Sequence, residues 1–132
     1  MSRVTLDTSA YSAFMRGHSE LKAALEGAEQ IHVSPIVLGE LHAGFHGGNR
    51  RNENERRLRL FLSSPGVSIT AIDDETAVAY AEILNFLRNA GTPIPTNDIW
   101  IAAGAMQHGL RVLTTDAHYN RVPQVIVEWY AA

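Results

Sequence analysis

The chain has 132 residues, 45% hydrophobic and 19% charged, and this size and composition predict one domain spanning residues 1–132. Its 14 acidic and 11 basic residues leave a net charge of −3, so the chain as a whole lacks the strongly basic balance of many nucleic-acid-binding domains. The absence of cysteine excludes disulfide scaffolds, thiolate zinc sites and cysteine nucleophiles. The early carboxylate Asp7 and the lack of long apolar runs lead us to expect a soluble, cytoplasmic protein with no membrane partner.

Short apolar runs alternate with helical patterns along the chain. Five runs are predicted as strands, at residues 4–6, 31–33, 67–71, 111–114 and 125–127. Apolar residues at helical spacing, bounded by capping residues and glycines, predict helices at residues 35–45, 50–63, 73–91 and 99–108. We also expect the first strand to lead into a helix. This alternation predicts an α/β fold with three layers, in which a mainly parallel central sheet carries helices on both faces.

Four carboxylates are predicted to meet at one edge of this sheet. Asp7 and Asp116 each follow an apolar strand directly, and parallel sheets bind ligands at the carboxyl ends of their strands. Asp98 opens the helix before the strand of Asp116, and Glu40 lies at the border of the buried stripe of its own helix. Because acids gathered in a partly buried place repel one another, the arrangement predicts a site for Mg²⁺ or Mn²⁺.

Each of these acids also has a purely structural interpretation. Asp98 is suited to be a helix N-cap, since aspartate commonly caps helix starts. Asp7 and Asp116 are suited to turns at strand ends. Glu40 could be an exposed helical acid without any further role. The functional interpretation depends on all four lying at the same edge.

The residues around these acids resemble motifs of the PIN-domain nucleases, particularly the VapC toxins of bacterial toxin–antitoxin pairs. The matching segments are 6–10 (LDTSA), 38–41 (LGEL), 97–103 (NDIWIAA) and 113–116 (LTTD). The resemblance implies a PIN fold and a divalent-metal-dependent endoribonuclease, in which Asp7, Glu40, Asp98 and Asp116 form the acidic quartet that binds the metal for RNA cleavage. It also implies Mg²⁺ or Mn²⁺ as cofactor, RNA as substrate, a small cognate antitoxin as partner, and a homodimer. His118 stands where many members have a further acid, so the resemblance does not supply a fifth carboxylate ligand.

A cluster of arginines is the main positive feature of the sequence. Between residues 50 and 59 the chain has a local net charge of +3, which comes from Arg50, Arg51, Arg56, Arg57 and Arg59 set against two glutamates. Guanidinium groups suit phosphate, so these side chains are candidates for RNA backbone contact. A solvated helix face is the alternative interpretation.

Two other functions remain open at this point. One is a catalytically silent PIN-like module for RNA binding or protein interaction, which an intact acidic quartet argues against. The other is a housekeeping RNA-processing nuclease, which residue patterns alone do not distinguish from a toxin.

Overall fold

The computed structural model describes residues 2–132, and its strands form one sheet. The strands are β1 (Arg3–Leu6), β2 (Gln30–Val33), β3 (Val67–Ile69), β4 (Arg111–Thr114) and β5 (Ile126–Trp129). The helices are α1 (Thr8–Met15), α2 (Ser19–Gly27), α3 (Pro35–His46), α4 (Arg51–Leu62), α5 (Asp74–Ala90) and α6 (Thr96–His108), with a 3-10 helix at Ala117–Arg121. All four strand pairs are parallel, which confirms the predicted α/β class.

The order of strands in the sheet is β3-β2-β1-β4-β5. The chain therefore runs outward from β1 to β3 and then returns to the other side of β1 for β4 and β5. With right-handed crossovers, this order puts α1 to α4 against one face and α5 and α6 against the other. The order reverses between β1 and β4, so the carboxyl ends of these two strands form the ligand-binding edge of an open parallel sheet.

The central strands are buried on both faces. In β1 the consecutive residues Val4, Thr5 and Leu6 are all buried, as expected where helices cover both sides of a parallel sheet. Leu6 is opposite Val33 in β2 and Leu113 in β4, and all three side chains are at most 1% exposed. This core holds the carboxyl ends of β1 and β4 side by side.

Several boundaries differ from the sequence-based predictions. α6 begins at Thr96, three residues before the predicted start, and β5 begins at Ile126, which pairs with Arg111 of β4. β3 ends at Ile69, the last residue in register with β2. The chain between β1 and β2 forms two helices, because Gly17 turns it with φ 90° before α2 starts. Within residues 2–132, none of the helices combines the length and apolar character that a membrane span requires.

Candidate functional site

Asp7 is the most buried of the four acids, with 4% of its surface exposed. It follows β1 and caps α1, where Oδ1 accepts a hydrogen bond from the backbone N–H of Ala10 at 2.8 Å. Its Oδ2 accepts from the hydroxyl of Thr114 at 2.6 Å, and Ser9 Oγ lies 2.8 Å from both carboxylate oxygens. The carboxylate is therefore held in one orientation at the end of β1.

The same hydroxyls connect the end of β1 to the end of β4. Thr114 Oγ accepts from the backbone N–H of Asp116 at 2.8 Å, and Ser9 Oγ accepts from the backbone N–H of Thr115 at 3.0 Å. Asp116 then caps the 3-10 helix, where its Oδ1 accepts from the backbone N–H of His118 at 2.9 Å. Asp7 and Asp116 are thus fixed relative to each other by hydrogen bonds across the sheet.

Asp98 lies inside α6 and does not cap it. The helix begins at Thr96 after Pro95, without a side-chain capping bond, so the N-cap interpretation of Asp98 is wrong. Its position in the first turn is favourable for a carboxylate because unpaired N–H groups point toward this helix end. Oδ1 accepts from the hydroxyl of Tyr119 at 3.2 Å, and Tyr119 is fully buried beneath it.

Glu40 is half-buried on α3 and connects three helices. Its Oε1 accepts from the hydroxyl of Thr8, at the start of α1, at 2.5 Å. Its Oε2 accepts from the side-chain amide of Asn97, in the first turn of α6, at 3.3 Å. The carboxylate leans toward the sheet edge, as the border position on its helix predicted.

The electrostatics show that the acids are close enough to interact. Burial raises the pKa of Asp98, and the negative charges of Asp116, Asp7 and Glu40 raise it further, against the hydrogen bond from Tyr119. Burial also raises the pKa of Asp7, with a smaller contribution from Asp116, although the hydrogen bonds from Thr114, Ala10 and Ser9 oppose it. Within residues 2–132, no lysine or arginine nitrogen lies within 4.0 Å of these carboxylates. The site is therefore a negatively charged pocket.

The donor atoms suit a divalent cation. One donor atom each from Asp98, Asp116 and His118 lies within 4.8 Å of the other two. Carboxylate oxygens that repel one another and have no lysine or arginine partner are the ligands that hard divalent cations take. Asp7 and Glu40 border this group and add negative charge to it.

The arginine cluster lies apart from the acids. Arg57 donates to the carbonyl of Met15 at 3.3 Å, and Met15 ends α1, about 12 Å along the helix from its start beside Asp7. Arg56 pairs with Glu53 at 3.1 Å, and Arg51 lies 3.9 Å from Glu55. The structure brings the four acids to one edge and places Arg57 of the cluster beside the other end of α1.

The residues that orient the acids were not identified from the sequence. Thr8, Ser9 and Thr114 lie within two positions of a strand-end acid, and this closeness of hydroxyl groups to aspartates is a signal that could have found them. Asn97 belongs to one of the matched segments and Tyr119 lies outside them, and neither bond was predicted, since the bonds to Glu40 and Asp98 cross 57 and 21 positions of the chain.

Comparison with known proteins identifies the family. A family model described as the PIN domain matches residues 4–125 of the chain. The chain belongs to the PIN-domain family. This PIN domain is 36% identical over 95 residues to ribonuclease VapC4 of Mycobacterium tuberculosis, an alignment that covers 72% of this chain and 73% of the relative. It is 34% identical over 110 residues to ribonuclease VapC1 of Rickettsia felis, covering 83% and 81%.

Comparison with solved structures points to the same group of proteins as the sequence relatives. The PIN domain superposes on a chain of the VapBC2 complex from Rickettsia felis, solved with a DNA fragment from their promoter, with a TM-score of 0.84. The match has 26% sequence identity and covers 95% of this chain and 96% of the other. Together with the curated relatives, it places this PIN domain in the VapC group.

Proposed function

We propose that this PIN domain is an endoribonuclease that requires Mg²⁺ or Mn²⁺ and acts as the toxin of a toxin–antitoxin pair. The observation that carries the proposal is the convergence of Asp7, Glu40, Asp98 and Asp116 at the β1–β4 edge without a lysine or arginine partner. The names of the VapC relatives support ribonuclease activity, and the VapBC structures support an antitoxin partner.

In this proposal Asp98 and Asp116 hold the cation, with Asp7 and Glu40 completing the acidic pocket. The chemistry that a bound divalent cation supplies is activation of water and neutralisation of charge on the phosphate. The chain's own contribution is placement: Thr114 and Ser9 fix Asp7, Tyr119 fixes Asp98, and Thr8 fixes Glu40. Carboxylates that are oriented before substrate arrives need little rearrangement during phosphodiester hydrolysis.

We further propose that RNA reaches this pocket along α1, with its backbone held by the arginines of α4. An acidic pocket repels RNA unless a basic surface lies nearby, and α4 is the part of the sequence where arginines are concentrated. The residues assigned to phosphate contact outside the reaction centre are therefore Arg50, which directly precedes α4, and the α4 residues Arg51, Arg56, Arg57 and Arg59.

The proposed antitoxin inhibits by placing a basic side chain among the carboxylates. A guanidinium fork pairs well with carboxylates that have no lysine or arginine partner, so arginine and the cation compete for the same place. Titration calorimetry of the cognate antitoxin, with and without Mg²⁺, tests this model on wild-type and Asp98→Asn protein. We expect weaker binding when Mg²⁺ or the substitution is present, whereas equal affinity in all four combinations would place the inhibitory contact elsewhere.

We also propose a homodimer that forms through α5. This helix exposes Val78 by 70% and Phe86 by 40%, two large apolar side chains eight positions apart and hence within about 80° on the helix. Light scattering coupled to gel filtration should find a dimer for the wild type and a monomer for Val78→Glu. A monomeric wild type would exclude this part of the proposal.

The nuclease assignment is tested by incubating the purified protein with total RNA in Mg²⁺, Mn²⁺ or EDTA. We expect cleavage with either ion and none with EDTA. Asp98→Asn should abolish cleavage, while the matched control Asp74→Asn, at the exposed start of α5, should retain it. RNA binding without cleavage in every condition would instead favour a silent RNA-binding module.

A further inference from the structure

His118 turns its side chain back toward the acids from the first turn of the 3-10 helix. Its Nδ1 atom lies 3.1 Å from Asp116 Oδ1 and 3.6 Å from Asp98 Oδ2. Its backbone N–H donates to the same Asp116 carboxylate at 2.9 Å, which keeps the residue close to this group. The imidazole therefore lies close to two carboxylates that come from different elements of the fold.

The imidazole of His118 is partly exposed to solvent, but one of its two ring nitrogens is buried. The side chain is 41% exposed, yet Nδ1 is buried and has no hydrogen-bond partner in the described structure. A buried ring nitrogen without a partner requires an explanation, since such atoms are normally hydrogen-bonded. Because Nδ1 faces two carboxylate oxygens that repel each other, a shared cation would satisfy all three groups together.

We propose that His118 is a ligand of the cation held by Asp98 and Asp116, and that its nitrogen shifts the site's preference from Mg²⁺ toward Mn²⁺. This inference rests on the proposed function. Mg²⁺ takes oxygen ligands almost exclusively, whereas first-row transition ions accept imidazole nitrogen. Two carboxylate oxygens and one imidazole nitrogen form a mixed set, which favours the transition ion relative to a set made of oxygen alone.

A different role for the same geometry is a counter-charge, in which a protonated His118 offsets the acids when no metal is bound. The two roles predict opposite effects on metal affinity. A ligand strengthens metal binding, so its removal weakens binding. A positive counter-charge competes with the cation, so its removal strengthens binding.

The test measures Mn²⁺ and Mg²⁺ binding by calorimetry, together with pulsed electron paramagnetic resonance of bound Mn²⁺, which detects nitrogen among its ligands. The probes are the two ions alone, in buffer at about pH 8, above the ordinary histidine pKa. The proteins are wild type, His118→Asn, His118→Asp and the control His46→Asn, which removes an exposed histidine from the last turn of α3. Circular dichroism verifies that each variant is folded.

We expect nitrogen coupling in wild type and His46→Asn, and its loss in His118→Asn. Mn²⁺ affinity should fall about tenfold or more in His118→Asn, with a smaller loss for Mg²⁺. His118→Asp should recover binding with a preference moved toward Mg²⁺. Bound Mn²⁺ without nitrogen coupling in the wild type, or tighter binding in His118→Asn, would overturn the inference while leaving the nuclease proposal in place. A wild type that binds neither ion would contradict both.

Discussion

The hydroxyl of Thr114 donates to Asp7 Oδ2 at 2.6 Å, across the boundary between β4 and β1. The hydroxyl oxygen of Thr114 also accepts a hydrogen bond from the backbone N–H of Asp116 at 2.8 Å. One side chain thus joins the two strand-end acids at the point where the order of strands reverses. The acidic site is part of the folded core at this point, because Thr114 and Asp7 are both buried.

Replacing Thr114 by valine keeps the shape of the side chain and removes its hydroxyl. We expect a loss of about 1–3 kcal/mol in the free energy of unfolding, since the buried Asp7 loses a donor. We also expect the pKa of Asp7 to rise further, because the hydrogen bond from Thr114 lowers it. Thr114→Ser is the matched control, which keeps the hydroxyl and loses about 1 kcal/mol for the missing methyl. An NMR titration giving equal Asp7 pKa values in both variants would show that this bond is unimportant.

The raised pKa of Asp7 predicts a pH dependence of stability in the absence of metal. Because the folded state binds this proton more tightly than the unfolded state, the stabilising contribution is present below the ordinary carboxyl pKa. It is lost as the pH rises through the raised value. The wild type should therefore lose stability relative to Asp7→Asn as the pH rises above about 4, in urea titrations with EDTA. At neutral pH, Asp7→Asn should be as stable as the wild type or more stable, since it removes a buried charge. Parallel curves for the two proteins would contradict the electrostatic description of this residue.

Divalent ions should stabilise the folded protein increasingly as their concentration rises above Kd. A cation that binds only the folded state contributes RT ln(1 + [L]/Kd), or about 2.7 kcal/mol at a hundredfold excess over Kd. The melting temperature should therefore rise with Mg²⁺ or Mn²⁺ concentration, and Glu40→Gln should reduce that rise by removing charge from the pocket. Glu82→Gln, on the exposed side of α5, is the control and should leave the rise unchanged. A melting temperature that does not change with the concentration of either ion would support the alternative of a catalytically silent PIN-like module.

The arginines of α4 should affect RNA binding through charge alone. Replacing Arg56 and Arg57 by glutamine should weaken binding to all RNAs similarly, because interactions with phosphate carry little sequence information. The slope of log affinity against log salt should fall by about 0.7 for every phosphate of single-stranded RNA that the protein no longer neutralises. Arg88→Gln, on α5, provides a control from a different helix. A slope unchanged from the wild type would assign the cluster to solvent or to a protein partner.

The sequence predicted the location of a site residue correctly where that residue lies at or just after the end of a strand. Asp7 and Asp116 were placed correctly because Asp7 directly follows β1 and Asp116 lies two residues after the end of β4, and the ends of neighbouring parallel strands meet at one edge. Glu40 could be placed by its angle on an amphipathic helix. Its contacts with Thr8 and Asn97 required the packing of α1 and α6 against α3, which periodicity does not determine.

The start of α6 could not be predicted because several neighbouring residues are each suited to begin a helix. Thr96, Asn97 and Asp98 precede the apolar part of α6, and asparagine and aspartate there cap as readily as threonine, so the sequence did not fix which residue starts the helix. The structure starts it at Thr96, and Asp98 is left free to face the site. The sequence likewise detected the arginines of α4 but not their distance from the acids, because that distance depends on where α4 packs along α1.

The most direct test of the central claim is anomalous X-ray scattering from crystals of the protein soaked in Mn²⁺. We expect an anomalous peak within ligand distance of the Asp98 and Asp116 carboxylates, and the loss of that peak in Asp98→Asn crystals soaked in the same way. Crystals that show no peak at these carboxylates, from a preparation that cleaves RNA when Mn²⁺ is added, would contradict the claim that these acids form the metal site of the reaction.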